Sequence, residues 1–363
     1  MHLKIDKKLT EIERKLPTRK TKSEGLRLDM AERVNNFQKQ GFDTFISSLS
    51  QEDFICYPSK EEIDEFASVV ASHFCVDSKD IIFGTGSDSS IRDIFLLVSK
   101  HSKNVVTTEP CFPMYDVYAK IFDLELRKVS YDSDMKIQLN DVADVIDENT
   151  GLIVLANPNS PIGDVYSEDF LRNLSSLCEN RGAILLIDEA YAEFANCSLM
   201  QKLWSENVVF VKTLSKAYGS AGARIGFSVS KGSVNKCLNS LRQTFPLTGA
   251  SLKWGKHIIK IYSETEDYVK GIVDELTALN LKLSSIAGLH YQIGNVNWFH
   301  VSHDDENFLN FLVEKHKISC RHDVKLPRSS LRWKRICISP GFHKCEFMHD
   351  LTRGSYGQGT TSS

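Results

Sequence analysis

No run of apolar residues in this sequence approaches the roughly 18 that a membrane-spanning helix requires, so no membrane partner is expected. There is no basic excess either: 44 Lys and Arg stand against 47 Asp and Glu, a formal net charge of −3. A surface built to grip phosphate backbones is therefore excluded, and with it nucleic acid as the main partner. The nine cysteines are odd in number and scattered singly, with no C-x-x-C pair. That argues against a disulfide framework and a structural zinc site; no metal is expected, and most of the thiols should be buried and reduced. The start, MHLKIDKKLTEIERK, is too charged to hold the apolar core of a signal peptide, which points to a cytoplasmic protein. What is present is ordinary globular material, 42% apolar and 25% charged. At about 150 residues per domain, 363 residues make roughly two domains, one large and one smaller.

The first 25 or so residues are polar, with helical spacing only in Ile5, Leu9 and Ile12, and read as an arm or a loosely docked helix. From about Ser59, helix-like and strand-like segments alternate. Helical patterns at 61–74, 89–98, 114–121, 139–146 and 168–179 are interleaved with strands at 81–83, 104–107, 124–129, 152–156 and 183–187, and further strands follow at 208–213 and 223–229. This rhythm predicts an α/β fold with about seven strands in one mostly parallel sheet covered on both faces. Continuous apolar runs such as GLIVLA and AILLI suit strands with both faces buried. After Gly249 the texture changes: a long helical stretch at 252–279, weaker strands at 291–299 and 336–339, and a helix at 306–316 predict a smaller α+β domain. The layout expected is an arm over 1–45, a large domain over 46–248, a small one over 249–350, and a disordered Gly/Ser/Thr-rich tail over 351–363.

In an open α/β sheet, functional residues gather beyond the carboxyl ends of the strands. Strand 81–83 runs into Gly84-Thr85-Gly86-Ser87-Asp88-Ser89 opening a helix, whose free amides and dipole favour an anion; taken alone, it is equally a plain capped turn. Strand 152–156 runs into Asn157-Pro158-Asn159-Ser160-Pro161, a stiff loop able to present an amide, or simply a turn with two prolines. Strand 183–187 ends in Asp188-Glu189-Ala190-Tyr191, where a carboxylate could meet a protonated ring nitrogen or merely cap a turn. Strand 208–212 ends in TLSKAYGSAGARIGF, in which Thr213, Ser215 and Arg224 could bind an anion. Lys216 sits there beyond a buried strand, an environment that lowers an amine's pKa and favours a Schiff base. An isolated lysine is ordinarily a solvated surface charge. The ordered set of anion cradle, Asn, Asp, Tyr and Lys, each at a strand end, argues otherwise.

These motifs resemble the fold type I enzymes that use pyridoxal phosphate, within the class I/II aminotransferases and nearest the histidinol-phosphate aminotransferase branch. The similarity spans about residues 25–345 and is carried by TLSKAYGSAGARIGF, NPNSPIG, IDEAYAEF, GTGSDSSI and PCFPMY, in that family's order. The resemblance implies that Lys216 carries the cofactor as a Schiff base and shuttles the proton. Asp188 would pair with the ring nitrogen, Tyr191 and Asn157 would bond the ring's phenolic oxygen, and Phe112 would stack on its face. Ser87, Asp88, Thr213, Ser215 and Arg224 would hold the phosphate. Tyr57 would reach the phosphate of a neighbouring subunit, implying a homodimer with shared sites. Arg335 would meet the substrate carboxylate, with Arg332 as the alternative register, and Arg321 would face the substrate's distal group.

The chain departs from the branch's pattern where Phe112 replaces a Tyr, where Ser160-Pro161-Ile162 stands for Asn-Pro-Thr, and where LDMAER (28–33) stands for Asn-x-Asn-Glu. The last two fall nearer the substrate than the cofactor. The implied activity is amino transfer from an amino acid, glutamate first among candidates, to a small keto or aldehyde acceptor, phosphorylated in some members. The alternative on the same scaffold is a decarboxylase of the phosphoserine or phosphothreonine type.

Overall fold

The computed structural model describes residues 7–12, 25–132, 135–201 and 205–354. Seven strands form the large sheet: β1 (Ile81–Thr85), β2 (Asn104–Glu109), β3 (Glu125–Ser130), β4 (Thr150–Ala156), β5 (Ile184–Asp188), β6 (Val208–Thr213) and β7 (Ile225–Val229), in the spatial order β1-β7-β6-β5-β4-β2-β3. All neighbours are parallel except β7, which is antiparallel to both β1 and β6. Every residue of β4, β6 and β7 is buried, as their largely apolar sequence predicts for strands covered on two faces. Helices Lys60–Phe74, Gly86–Val98, Pro113–Ile121 and Glu168–Asn180 flank the sheet. The first is started by a capping box in which Ser59 and Glu62 satisfy each other's backbone N–H, and the last by Ser167.

The expected helix over 252–279 is two, Gly249–Lys260 and Tyr262–Leu283, broken at Ile261. No Gly or Pro marks the break; packing dictates it, because the first helix lies against Lys60–Phe74 and the second against the small sheet. That sheet has four antiparallel strands, β8 (Leu289–Ile293), β9 (Trp298–His303), β10 (Arg321–Val324) and β11 (Trp333–Cys337), in the order β10-β11-β9-β8. The single strand expected over 291–299 is thus the turn of a hairpin with its two arms, and the last strand lies about two residues earlier than expected. A two-residue parallel pairing joins Leu26–Arg27 to Ile318–Ser319. From there residues 28–31 cross the small sheet, with Cys337 N–H donating to the Leu28 carbonyl at 2.9 Å and Asn297 Nδ2 to that of Ala31 at 3.3 Å.

In the arm, Lys7–Glu11 is a short 3-10 helix with Leu9 exposed, and Ile5 lies outside the described residues. At the other end Leu351–Arg353 finish a helix, with Leu351 buried; residues 355–363 of the expected tail lie outside the described residues. The cysteines are all free, but fewer are buried than expected. Cys111, Cys178, Cys320 and Cys337 are buried, whereas Cys56, Cys75 and Cys237 are exposed, at helix ends or on an outer helix face.

Candidate active site

The carboxyl ends of β4, β5 and β6 lie side by side and carry the expected Asn, Asp and Lys loops. Ala156 is paired with Asp188 and Asp188 with Val211, so the three loops leave the sheet at one level. Asn157 N–H donates to the Asp188 carbonyl at 2.8 Å, and Glu189 N–H to that of Val211 at 2.9 Å. The Asp188 carboxylate is buried and accepts from Ala190 N–H at 3.1 Å and Tyr115 OH at 3.2 Å. Burial pushes its pKa up to about 6, against the pull of those two donors and of the nearby Lys216 amine.

Asn157 is wholly buried. Its Oδ1 accepts from Tyr166 N–H at 3.0 Å, while its Nδ2 has no protein partner. A buried donor left open in this way is costly and asks for an acceptor from outside the chain. Tyr191 packs edge-on against Trp298, with ring centroids 4.7 Å apart, and the Lys216 ammonium lies 5.4 Å from its ring centroid. Lys216 itself is half-buried and donates to the Met30 carbonyl at 2.9 Å.

The anion cradle is built where β1 passes into its helix alongside β7. Gly86 has a φ of +73°, and a Cβ on Gly226 would collide with the backbone of Gly86 and Ser87, so glycine is required on both sides of this close approach. Gly86 N–H donates to the Arg224 carbonyl at 2.8 Å, and Arg224 Nη2 returns to the Thr85 carbonyl at 3.4 Å. Thr213 Oγ1 donates to Ser215 Oγ at 2.9 Å and accepts from Ser215 N–H at 3.1 Å. Ser87, Thr213, Ser215 and Arg224 are thus brought into one neighbourhood. Beside them the Asp88 carboxylate accepts from Tyr118 OH at 2.7 Å. Phe112 caps the helix Pro113–Ile121 and meets Tyr115 edge-on at 5.6 Å.

Tyr57 is 79% exposed and stacked on Phe245 at 4.4 Å, and the neighbouring Pro246 carbonyl accepts from Thr85 Oγ1 at 2.9 Å.

Arg335 and Arg321 come together on the small sheet as cross-strand partners. Arg335 Nη2 and Arg321 Nε both donate to the Asp29 carbonyl, at 3.0 and 3.2 Å, and Arg335 lies 4.9 Å from the Trp298 ring centroid. Arg332 points away, exposed and 3.4 Å from Glu306.

Several participants have no counterpart in the sequence reading. Tyr115, one helical turn beyond Phe112, bonds the Asp188 carboxylate, and that spacing could have found it. Trp298 forms the floor between Tyr191 and Arg335, and only the fold brings it there. Lys212 is a charge inside the apolar run VVFVKT, itself a signal. Its Nζ reaches Glu193 at 2.8 Å and Glu189 at 3.1 Å in full burial. Burial opposes that charge, but the two carboxylates outweigh it and hold the amine above its usual range. This buried trio, with the Ser198 hydroxyl and the Leu199 N–H also donating to Glu189, fixes the turn that carries Asp188 and Tyr191.

The family profile described as aminotransferase class I and II matches residues 29–346. Among curated proteins, the histidinol-phosphate aminotransferase of Clostridium novyi is 26% identical over 298 residues, covering 82% of this chain and 83% of that protein. Among solved structures, the histidinol-phosphate aminotransferase of Sinorhizobium meliloti in complex with pyridoxal-5'-phosphate superposes with a TM-score of 0.80 at 19% identity, over 98% of this chain and 97% of that one. The L-threonine-O-3-phosphate decarboxylase of Porphyromonas gingivalis has the same fold, with a TM-score of 0.69 at 17% identity over 90% and 98% of the two chains.

Proposed function

The chain belongs to the class I and II aminotransferases, and from that premise we propose a pyridoxal-phosphate-dependent transaminase that takes an amino group from glutamate and gives it to a small keto or aldehyde acceptor with an anionic end, as in the histidinol-phosphate branch. The observation that carries the reading is the convergence of the Lys216 amine, the buried Asp188 carboxylate and the unpartnered Asn157 amide at three adjacent strand ends.

The residues fit this cofactor. The open Nδ2 of Asn157 is the donor that a phenolate oxygen requires, and the carboxylate of Asp188 suits a protonated ring nitrogen. The Gly86 turn with Ser87, Thr213, Ser215 and Arg224 suits a phosphate. Phe112 would lie on the ring face. When bound, pyridoxal phosphate supplies an aldehyde that condenses with amines and a ring that accepts the electron pair released at the substrate's α-carbon. Lys216 would hold the cofactor at that aldehyde, and its Nζ would take the proton from the substrate's α-carbon and deliver it to the former aldehyde carbon, the shift that amino transfer requires. Asp188 would hold the ring nitrogen protonated, with Tyr115 and the Ala190 amide keeping its carboxylate in place. Arg335 takes the substrate carboxylate as a fork, and Arg321 takes the distal anion.

An arm, a large domain and a small domain divide the chain, with the helix Gly249–Lys260 packed on the large domain and the passage to the small one at Ile261 rather than near 248, and a second copy of the chain completes each site. Exposed Phe54, Ile55 and Tyr57, with Phe245 beside the last, support an apolar docking face for that copy. Among the described residues no helix is long and apolar enough to cross a membrane, in keeping with a cytoplasmic enzyme.

The test is a rapid-mixing absorbance scan of the holoenzyme with glutamate and, separately, with histidinol phosphate and phosphothreonine. Conversion of the cofactor spectrum by glutamate is the expected result. Absence of that half-reaction, with carbon dioxide released from phosphothreonine, would replace transamination by decarboxylation.

A further inference from the structure

Four polar residues stand in one row across the small sheet. Arg321 on β10 is opposite Arg335 on β11, Arg335 is opposite His300 on β9, and His300 is opposite Gln292 on β8. Directly opposite residues share a face, with Cβ atoms about 5 Å apart. This face is the one toward the site, because Trp298, two residues before His300, lies under Arg335 and against Tyr191. The intervening Phe299 points to the other side, into the apolar core beside Phe342.

His300 is the anomaly of the row. Its side chain is 1% exposed, yet neither ring nitrogen has a partner, and beside it the Nε of Arg335 is also buried and unpartnered. Two adjacent buried groups with open hydrogen-bonding capacity are costly unless another state of the protein satisfies them. Burial, with Arg335 alongside, pushes the imidazole down to about 3, so the ring is neutral and offers one acceptor nitrogen. Arg335 meanwhile spends its Nη2 on the Asp29 carbonyl, which it shares with Arg321. An arriving carboxylate must take that Nη edge from the carbonyl, and the guanidinium must turn to present it.

We propose that His300 is a positioning residue for substrate binding: its ring nitrogen accepts the Nε–H of Arg335 when the guanidinium turns from Asp29 to a substrate carboxylate, leaving both Nη groups free for the anion. The inference rests on the assignment of Arg335 to the carboxylate.

The experiment uses the holoenzyme and two readouts: the glutamate half-reaction, and binding of glutarate, a dicarboxylate that cannot react, followed by the change in the cofactor's visible spectrum. His300→Leu should raise the half-saturating glutamate concentration and the glutarate Kd about tenfold, the size of one hydrogen bond to a charged group, while the maximal rate changes less than about twofold. His300→Gln, which keeps an acceptor, should stay within about threefold of wild type. In an Arg335→Lys background, which has no Nε–H, His300→Leu should add nothing. Unchanged glutarate binding in His300→Leu would overturn the proposal. So would the same tenfold loss in the Arg335→Lys background, which would mean that the ring touches the ligand itself. Should the leucine variant not fold, His300→Asn, too short to reach, carries the same comparison. Failure of the carboxylate assignment is distinguished by Arg335→Lys alone leaving glutarate binding unchanged, and failure of the transaminase reading by glutarate binding without any glutamate reaction.

Discussion

On the wall formed by the strand ends, Asp188, Asn157, Thr213 and Ser215 are held by near neighbours in the chain or in the sheet. On the wall formed by the small sheet, Arg321 and Arg335 share one carbonyl, that of Asp29, and Arg321 also donates to Met30 Sδ, neither partner lying on either strand. Much of the first set is short in sequence, Ala190 to Asp188 and Ser215 to Thr213 spanning two residues each, while Tyr115 reaches Asp188 from 73 residues away. The second spans 292 and 306 residues, and the Lys216 bond to Met30 spans 186. A ligand for the first wall finds most of its partners already fixed and one amide open for it, and takes Lys216 from the Met30 carbonyl. A ligand for the second must displace the Asp29 carbonyl from both arginines before it can bind. The cofactor wall is therefore preorganised and the substrate wall is exchangeable, which suits a group that stays and a series of molecules that come and go.

Removing the lysine should test the first wall most severely. Lys216→Ala should abolish the visible band of the cofactor-linked enzyme and lower turnover by more than about 10³-fold, because both the covalent link and the proton carrier are lost. A variant that kept the band would show that another amine holds the cofactor. Asp188 comes next. Asp188→Asn should leave the cofactor bound through its phosphate cup while turnover falls by about 10² to 10³, measured with saturating glutamate.

The same carboxylate should leave a signature in the protein stripped of cofactor. Its folded pKa, about 6, lies above the ordinary 3.8, so the native state binds more protons than the unfolded state between those values. Stability should then fall as pH rises through that window, by on the order of 2 kcal/mol, and the Asn variant should lose that slope. Identical urea midpoints for the wild type at pH 4.5 and 7, once matched to the variant, would contradict the burial argument.

The same division explains what could be read beforehand. The central strands and the loops beyond them were legible because a strand buried on both faces writes an apolar run, and because Asp188 and Asn157 follow such runs directly and Lys216 lies a few residues beyond one. The break at Ile261 carries no local signal, and neither does the hairpin over 289–303, whose strands are recognisable only once paired. Trp298, His300 and the Asp29 carbonyl join the site through contacts made by distant segments, which single-sequence periodicity does not encode. Lys212 is the informative exception, since a charge inside a buried strand announces partners without naming them.

For the second wall, Arg335→Lys should raise the half-saturating glutamate concentration by about ten- to a hundredfold, the loss expected when a two-pronged guanidinium contact becomes a single ammonium, with a smaller change in maximal rate. An unchanged value would move the carboxylate to another cation.

Arg332→Ala is the counterpart with the smallest effect. The two arginines are three residues apart at the start of an extended strand, and an odd offset places them on opposite faces. The register of β11 against β9 sets Arg335 opposite His300, on the face that meets Trp298 and Asp29. Arg332, just before the strand, is 71% exposed, and its contact with Glu306 at 3.4 Å is a surface ion pair between two exposed side chains. Such pairs contribute about 0 to 1 kcal/mol, so neither glutamate saturation nor turnover should change by more than about twofold, and the urea midpoint should barely move. If Arg332→Ala instead weakened glutamate binding as strongly as Arg335→Lys, the strand would have to be shifted by an odd number of residues, and His300 would lose its place in the row with it.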